Sequence, residues 1–272
     1  MGRPVWFVEL IKRTFSKRFI IGKMMKIPVV GSFIKKMVFG GDDIIFLPKD
    51  YVVLVQQSVV YAGQMVLPSH IVEYFIEEAS FHWVMNFCIC RSASKCKDYP
   101  IELGCLFLGE AARGINPQFG RPVSKEEALA HVRRCRQLGL VHLIGRNKLD
   151  ELWLGVKPGE KLLSVCNCCP CCCLYKVLPY LPSDIGGMFT KMPGVIMNVD
   201  EHLCQGCGIC TQGVCFTNAI HVFNKKAVIS NECRGCGRCV EICPQKAISL
   251  TITDPTFLET TITHISHVVD VK

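Results

Sequence analysis

The hydrophobic positions change period several times along the chain, and each change predicts an element. In residues 1–40, Trp6, Phe7, Leu10, Ile11 and Phe15 recur at near-helical spacing, with Lys12, Arg13, Lys17 and Arg18 between them. This predicts a basic amphipathic helix, broken at Pro28 and Gly31, before the chain reaches Gly40-Gly41. Runs rich in β-branched and aromatic residues at 44–47, 51–55 and 59–61, punctuated by Pro48 and Pro68, predict strands. From Ser69, the residues Ile71, Val72, Phe75, Ile76 and Ala79 make one helical face, which leads through 82–87 to the first cysteines. Ser124-Lys-Glu-Glu127 is a capping box: Ser at the N-cap, Glu three residues on. Ala128, Leu129, Val132, Cys135 and Leu138 follow as an apolar face, and Gly139 supplies the stop. Residues 140–144 and 161–165 read as strands, the second delivering the chain to a dense run of cysteines. Residues 41–195 are therefore expected to form one cysteine-rich α+β domain behind the N-terminal segment.

Composition changes this picture in one respect. Half of the 272 residues are hydrophobic and 20% charged, enough for a sizeable core, but 19 are cysteine. Small secreted domains carry such a density as disulfides because they lack a core, and this chain has no such need. Met1 to Leu10 is followed by basic residues without an apolar leader core, so a reducing, cytoplasmic setting is expected, where clustered thiols mean metal or redox chemistry. Mean hydropathy is +0.29, yet no run approaches the roughly 18 apolar residues of a spanning helix. The net charge of +8 is concentrated in residues 1–40, which hold nine Lys/Arg against one Glu. That segment is expected to meet a partner, to lie on the inner face of a membrane, or to pack on its own domain. The rest of the chain is neutral and has no recognition motif, so nucleic acid is not an expected partner.

The densest chemistry lies at 204–243. Cys233-Arg-Gly-Cys236-Gly-Arg-Cys239-Val-Glu-Ile-Cys243-Pro244 is C-x2-C-x2-C-x3-C-P, the spacing of a [4Fe–4S] site. Cys204-Gln-Gly-Cys207-Gly-Ile-Cys210 precedes it, with Cys215 after four intervening residues. Val199 and Cys204 recur 29 positions later as Val228 and Cys233, and 215–220 echoes 243–248. A cubane needs four converging thiolates, and glycines at 206, 208, 235 and 237 let the backbone approach its sulfides. Residues 196–253 therefore resemble the bacterial-type two-[4Fe–4S] ferredoxin domain. The resemblance implies one cluster on Cys204, Cys207, Cys210 and Cys243, and a second on Cys233, Cys236, Cys239 and Cys215. The extra residue before Cys215, and Phe216 where proline is usual, depart from the pattern in the local turn. Residues 254–272 are left as a C-terminal tail.

Ten further cysteines fall in two groups. One is Cys88, Cys90, Cys96 and Cys105, within CICRSASKCKDYPIELGCLFLG; the other is Cys166-Asn-Cys168-Cys169-Pro-Cys171-Cys172-Cys173. Adjacent residues diverge, so no single centre takes all six of the second group. A third iron–sulfur centre drawn from Cys88, Cys90, Cys96, Cys105, Cys166, Cys168 and Cys169 is the leading expectation, with Cys90, Cys96, Cys166 and Cys169 as one spread across both groups. Zinc, a redox dithiol or persulfide site, and buried structural thiols are the alternatives. Cys135, alone on a helix face, is expected in the core. His82, six residues before Cys88, is the histidine placed to touch a centre, and Arg91 beside Cys90 is either a charge partner or solvated. No phosphate loop, Walker motif or Ser/His/Asp arrangement is present. The CICR…GCLFLG and CNCCPCCC segments resemble those of uncharacterised 4Fe–4S-binding proteins of anaerobic microbes, which implies iron–sulfur electron transfer without naming a substrate.

The expected architecture is thus α+β, with a ferredoxin-like two-cluster module C-terminal to a larger cysteine-rich domain. The expected function is single-electron transfer through two [4Fe–4S] clusters, with a third centre in the cysteine-rich domain. It would serve redox partner proteins as a component of a larger anaerobic complex rather than as a stand-alone enzyme. The alternatives are an oxidoreductase with a thiol- or sulfur-reducing site in the cysteine-rich domain, and a cluster-transfer or redox-sensor protein.

Overall fold

The computed structural model describes residues 2–54, 60–61 and 64–272. Of the predicted strand runs, residues 55 and 59 lie outside the described residues. The organising element is a seven-stranded sheet, in the order Phe189–Lys191, Asp43–Phe46, Val141–Arg146, Leu163–Cys168, Leu106–Leu108, His82–Met85 and Gly120–Pro122. Neighbours are antiparallel except the first pair, which runs parallel. The fold is α+β.

Strand alternation gives this sheet two different faces. Ile45, Ile144, Val165 and Leu106 lie in one register row and point into the main apolar core. The helices Ser69–Glu78, Lys125–Gln137 and Phe257–Val268 cover that face, contributing Ile71, Val72, Phe75, Ala128, Val132, Phe257 and Ile265. The helix from Ser69 thus buries the face its periodicity predicted. The capping box at Ser124 is formed in both directions: Glu127 N donates to Ser124 Oγ at 3.2 Å, and Ser124 N to Glu127 Oε2 at 2.9 Å. The C-terminal residues are no loose end, since Phe257–Val268 is helical and Val269 and Val271 complete the same core.

The opposite face is where the thiols gather. Phe46, Leu143 and Cys166 share the neighbouring register row, and Val141 sits across from Cys168. They pack with Tyr175, Phe189 and Phe216. The N-terminal segment lies on this side as three helices, Val5–Thr14, Arg18–Met24 and Pro28–Val38. Pro28 therefore opens a helix at its first turn, where its missing N–H costs nothing. Val8, Phe15 and Met25 are buried against the rest of the chain, while Trp6, Ile20, Val29 and Phe33 remain exposed. No described helix is long and apolar enough to cross a membrane.

A second sheet joins residues 53–54 to the C-terminal part of the chain. Val195–Val199 pairs antiparallel with Ile248–Ile252, and Val53–Leu54 adds to Ile248–Ile252 in parallel. Beside it stands the hairpin Ile220–Phe223/Lys226–Ile229.

Candidate metal centres

The C-terminal repeat folds into two similar nests. Cys204, Cys207, Cys210 and Cys243 line one cavity; Cys215, Cys233, Cys236 and Cys239 line another. The last cysteine of each half crosses to the nest of the other half because the intervening strands reverse the chain. Gly206 and Gly208 have φ of 66° and 76°, and Gly235 and Gly237 of 63° and 80°, so each loop turns through the left-handed region twice at matching places. A Cβ at Gly206 would strike the Lys225 carbonyl, and one at Gly237 would strike Val52.

Backbone amides point at the sulfurs. Ala219 N lies 3.3 Å from Cys215 Sγ and Ala247 N 3.3 Å from Cys243 Sγ, the same contact in both halves. Ala227 N reaches Cys204 Sγ at 3.3 Å, and Gly235 N reaches Cys233 Sγ at 3.4 Å. Such donors stabilise thiolates, and they raise the potential of a cluster the thiolates hold. Burial acts the other way and pushes the Cys236 thiol up to about 11. Without a metal that sulfur keeps its proton; a bound metal would displace it. The donor set, the close glycine backbone and the amides aimed at sulfur all fit iron–sulfur ligation.

The module is keyed into the cysteine-rich part by its departures from the repeat. Phe216 is buried edge-on to Phe46, with ring centres 5.3 Å apart, and the Arg238 guanidinium lies 4.3 Å above it. Arg238, between Cys236 and Cys239, is itself buried and donates to the Cys168 carbonyl. The longer loop before Cys215 offers the Gly213 carbonyl to Lys176 Nζ at 3.2 Å.

The strand Leu163–Cys168 and the turn after it then divide the six consecutive-run cysteines. Cys166 and Cys168 share one strand face, while Asn167 points the other way and donates to the Gly104 carbonyl at 2.8 Å. The chain turns at Pro170, and Cys169, Cys171 and Cys172 converge with Cys96. Their sulfurs lie 3.5 Å apart for Cys96–Cys171, 3.5 Å for Cys169–Cys171 and 3.4 Å for Cys171–Cys172. Cys173 then returns to the first side. The seven cysteines expected to supply one third centre are thus divided: Cys96 belongs to this outer nest, Cys88, Cys90, Cys105, Cys166 and Cys168 to an inner one, and Cys169 joins the outer group while also lining the inner cavity.

The inner nest is a cavity lined by Cys88, Cys90, Cys105, Cys166, Cys168 and Cys173, with Cys169 at its border with the outer nest and with Arg91, Asn147, Asp150 and Tyr175. Arg91 is fully buried, not solvated. It donates to the carbonyls of Pro100 and Asn167, each at 2.8 Å, and to that of Leu103. Burial opposes its charge, but Cys88, Cys169, Cys105 and Cys168 outweigh burial and raise its pKa. Cys166 lies 3.8 Å from the Cys105 sulfur and 4.0 Å from the Tyr175 hydroxyl. With the Cys105 and Cys168 thiols as donors, and Tyr175 and Arg91 adding to them, its pKa is held well below the usual thiol range despite burial. Asp150 is pushed well up by burial and accepts from Asn147 Nδ2 at 2.9 Å. Asn147, Asp150 and Tyr175 are site residues that sequence reasoning missed, and Cys171, Cys172 and Cys173, though named in the cysteine run, were left out of the expected ligand set. Of the three missed residues, Asn147 alone carried a signal, as a helix cap preceding Lys148–Leu154.

His82 does not touch a thiol centre: its Nε2 lies 2.7 Å from the Ile76 carbonyl. The histidine near sulfur is His131, whose Nε2 is 3.8 Å from Cys135 and 3.0 Å from the Gly104 carbonyl. Cys135 is fully buried, as its helix position predicted, and packs with Cys169 and Cys172.

No curated protein and no solved structure matches this chain. Residues 210–253 match the LdpA Fe–S cluster-binding domain family, a span that holds Cys210, Cys215, Cys233, Cys236, Cys239 and Cys243. With that match over the repeated thiol nests, the chain carries an iron–sulfur cluster-binding domain.

Proposed function

We propose that this protein is an iron–sulfur electron carrier whose C-terminal module holds two [4Fe–4S] clusters and hands electrons toward the cysteine-rich interior. Cys204, Cys207, Cys210 and Cys243 would hold one cluster, and Cys215, Cys233, Cys236 and Cys239 the other. When bound, these groups supply one-electron transfer at low potential. The chain's own part is to shelter the sulfurs in part, Cys207 remaining exposed, and to aim amides of Ala219, Ala227, Gly235 and Ala247 at them. The observation that carries the reading is the paired arrangement itself: four cysteines around each cavity, with the same amide contact in both halves. Arg238 gives it direction, because it joins the second nest to the backbone of the cysteine-rich strand. A third iron–sulfur centre is assigned to the inner nest, where six thiols besides Cys169 line one cavity.

Anaerobic purification with iron and sulfide counts tests this. At four irons per cubane, about eight would mean the module alone and about twelve would add the inner nest. A preparation that binds no iron and sulfide after reconstitution would refute it, as would a reduced protein without a paramagnetic cluster signal.

A second reading is favoured by one observation, the Cys166 sulfur set 3.8 Å from Cys105 Sγ and 4.0 Å from the Tyr175 hydroxyl in a cavity that Arg91 also lines. The inner nest would then be a thiol- or sulfur-reducing site fed by the module. Cys166→Ser distinguishes the two: lost turnover with intact dithionite reduction of the module supports an enzyme. The redox partners are proposed to be proteins of a larger assembly in a reducing, cytoplasmic setting. Residues 1–40 would contact an anionic surface through their basic side chains and the exposed Trp6, Ile20, Val29 and Phe33. Sedimentation with anionic liposomes, with and without that segment, tells a membrane surface from a protein one.

A further inference from the structure

We propose that Cys96, Cys169, Cys171 and Cys172 hold a single tetrahedrally coordinated transition-metal ion, zinc or iron, distinct from every iron–sulfur cluster of the protein. Size is the first argument. An ion bound to four thiolates at about 2.3 Å sets the sulfurs at the corners of a tetrahedron with edges of about 3.8 Å. Here three sulfur pairs stand at 3.4–3.5 Å, and all four sulfurs lie within 4.8 Å of one another. Among the described residues, no other group of three or more His, Cys, Asp or Glu residues is so compact. A four-iron cage puts its own body between its ligands and needs thiolates farther apart. Neither the module cysteines nor the inner nest holds so compact a group, although Cys105 and Cys166 of the inner nest stand at 3.8 Å as a pair.

Chain geometry is the second argument. Cys169, Cys171 and Cys172 come from one tight turn at Pro170, and Cys172 N points back at Cys169 Sγ at 3.4 Å. A short loop whose amide supports its own thiolate, closed by a distant fourth cysteine, is the build of a structural site with no open position. The nest is also more than a plug. Four sulfurs this close would repel as thiolates unless a cation lay between them. With the ion in place, the turn is tied to the 88–96 segment, and binding energy becomes folding energy. The turn so fixed is the one that follows Cys168, whose carbonyl Arg238 grips from the module.

The test uses the full chain purified without oxygen, in which metals and acid-labile sulfide are counted together. One equivalent of zinc is expected, or one iron in excess of sulfide. X-ray absorption at that metal should show four sulfurs at about 2.3 Å and no lighter ligand. In Cys96→Ser/Cys171→Ser that one equivalent should be lost while the sulfide count is unchanged. The proposal is overturned if the wild-type chain holds neither zinc nor excess iron, if nitrogen or oxygen enters the shell, or if iron and sulfide leave together in the double variant. The absorption measurement needs no variant, so a failure of that variant to fold leaves the test standing. Sulfide reads the clusters and the extra ion reads this nest, so each proposal can fail without the other.

Discussion

The module and the cysteine-rich domain both gather thiols, but by opposite means. In the module, three cysteines of each nest sit within seven residues, and glycines with positive φ bend one loop around the cavity. In the cysteine-rich domain the thiols come from 88–96, 105 and 166–173, and a sheet brings them together. Local loops make a site that tolerates its surroundings. Distant segments make a site that exists only when the whole domain is folded. The difference predicts that metal content and stability are separable in the module and linked in the cysteine-rich domain.

The largest effect should come from the module. Cys239→Ala removes one proposed ligand from the nest of Cys215, Cys233 and Cys236, and should cost about four irons with their sulfides. The signal of the other cluster should survive. Iron and sulfide counts with electron paramagnetic resonance check this, and loss of all iron would show that the two nests do not stand apart.

Next comes Arg91, on which the inner nest is built. Arg91→Leu leaves the carbonyls of Pro100, Leu103 and Asn167 without their donor and takes the cation from beside the thiols. Removing one partner from a buried charged network costs about 3–5 kcal/mol, so the urea midpoint of the anaerobic protein should fall sharply. An unchanged midpoint would show that the domain does not depend on this residue.

The two regions also differed in how much of them the sequence discloses. Ligand spacing within a loop is a local property, so the grouping of the eight module cysteines around two cavities followed from the motif and its resemblance. The helix from Ser69 and the cap at Ser124 were legible for the same reason. The split of Cys166, Cys168 and Cys173 from Cys171 and Cys172, with Cys169 between the two nests, was not. It depends on where the strand Leu163–Cys168 ends and on which sheet face it serves, and pairing across the sheet decides both. Arg91 was undecided for a similar reason: its three acceptors lie 9, 12 and 76 residues away.

Acid should separate the regions further. His142, across the sheet from Asn167, is buried, and burial together with Arg136 lowers its pKa from 6.5 to about 3. The unfolded chain takes up this proton as pH falls through 6.5, while the folded chain does not. Stability present at neutral pH is therefore lost on acidification, by about 1.5 kcal/mol between pH 6.5 and 5. His202 and His221 of the module, by contrast, are exposed. In His142→Leu the slope of urea stability against pH over that window should flatten; an unaltered slope would assign the acid loss to other groups.

The smallest effect is the sharpest control. Ser124 caps the helix Lys125–Gln137, which carries His131 and Cys135 to the underside of the cysteine-rich sheet but supplies no ligand to either nest. Ser124→Ala leaves the Glu127 amide without its acceptor and should cost about 1 kcal/mol. Glu127 still faces the Ser124 amide, which confines the loss to one half of the capping box. Because a cap holds one helix end and not the sulfur positions, the urea midpoint should drop while iron, sulfide and zinc contents stay at wild-type values. A variant that lost metal in proportion to its stability would mean that the thiols of the cysteine-rich domain are held in place by margin alone, and that the nests are not preformed.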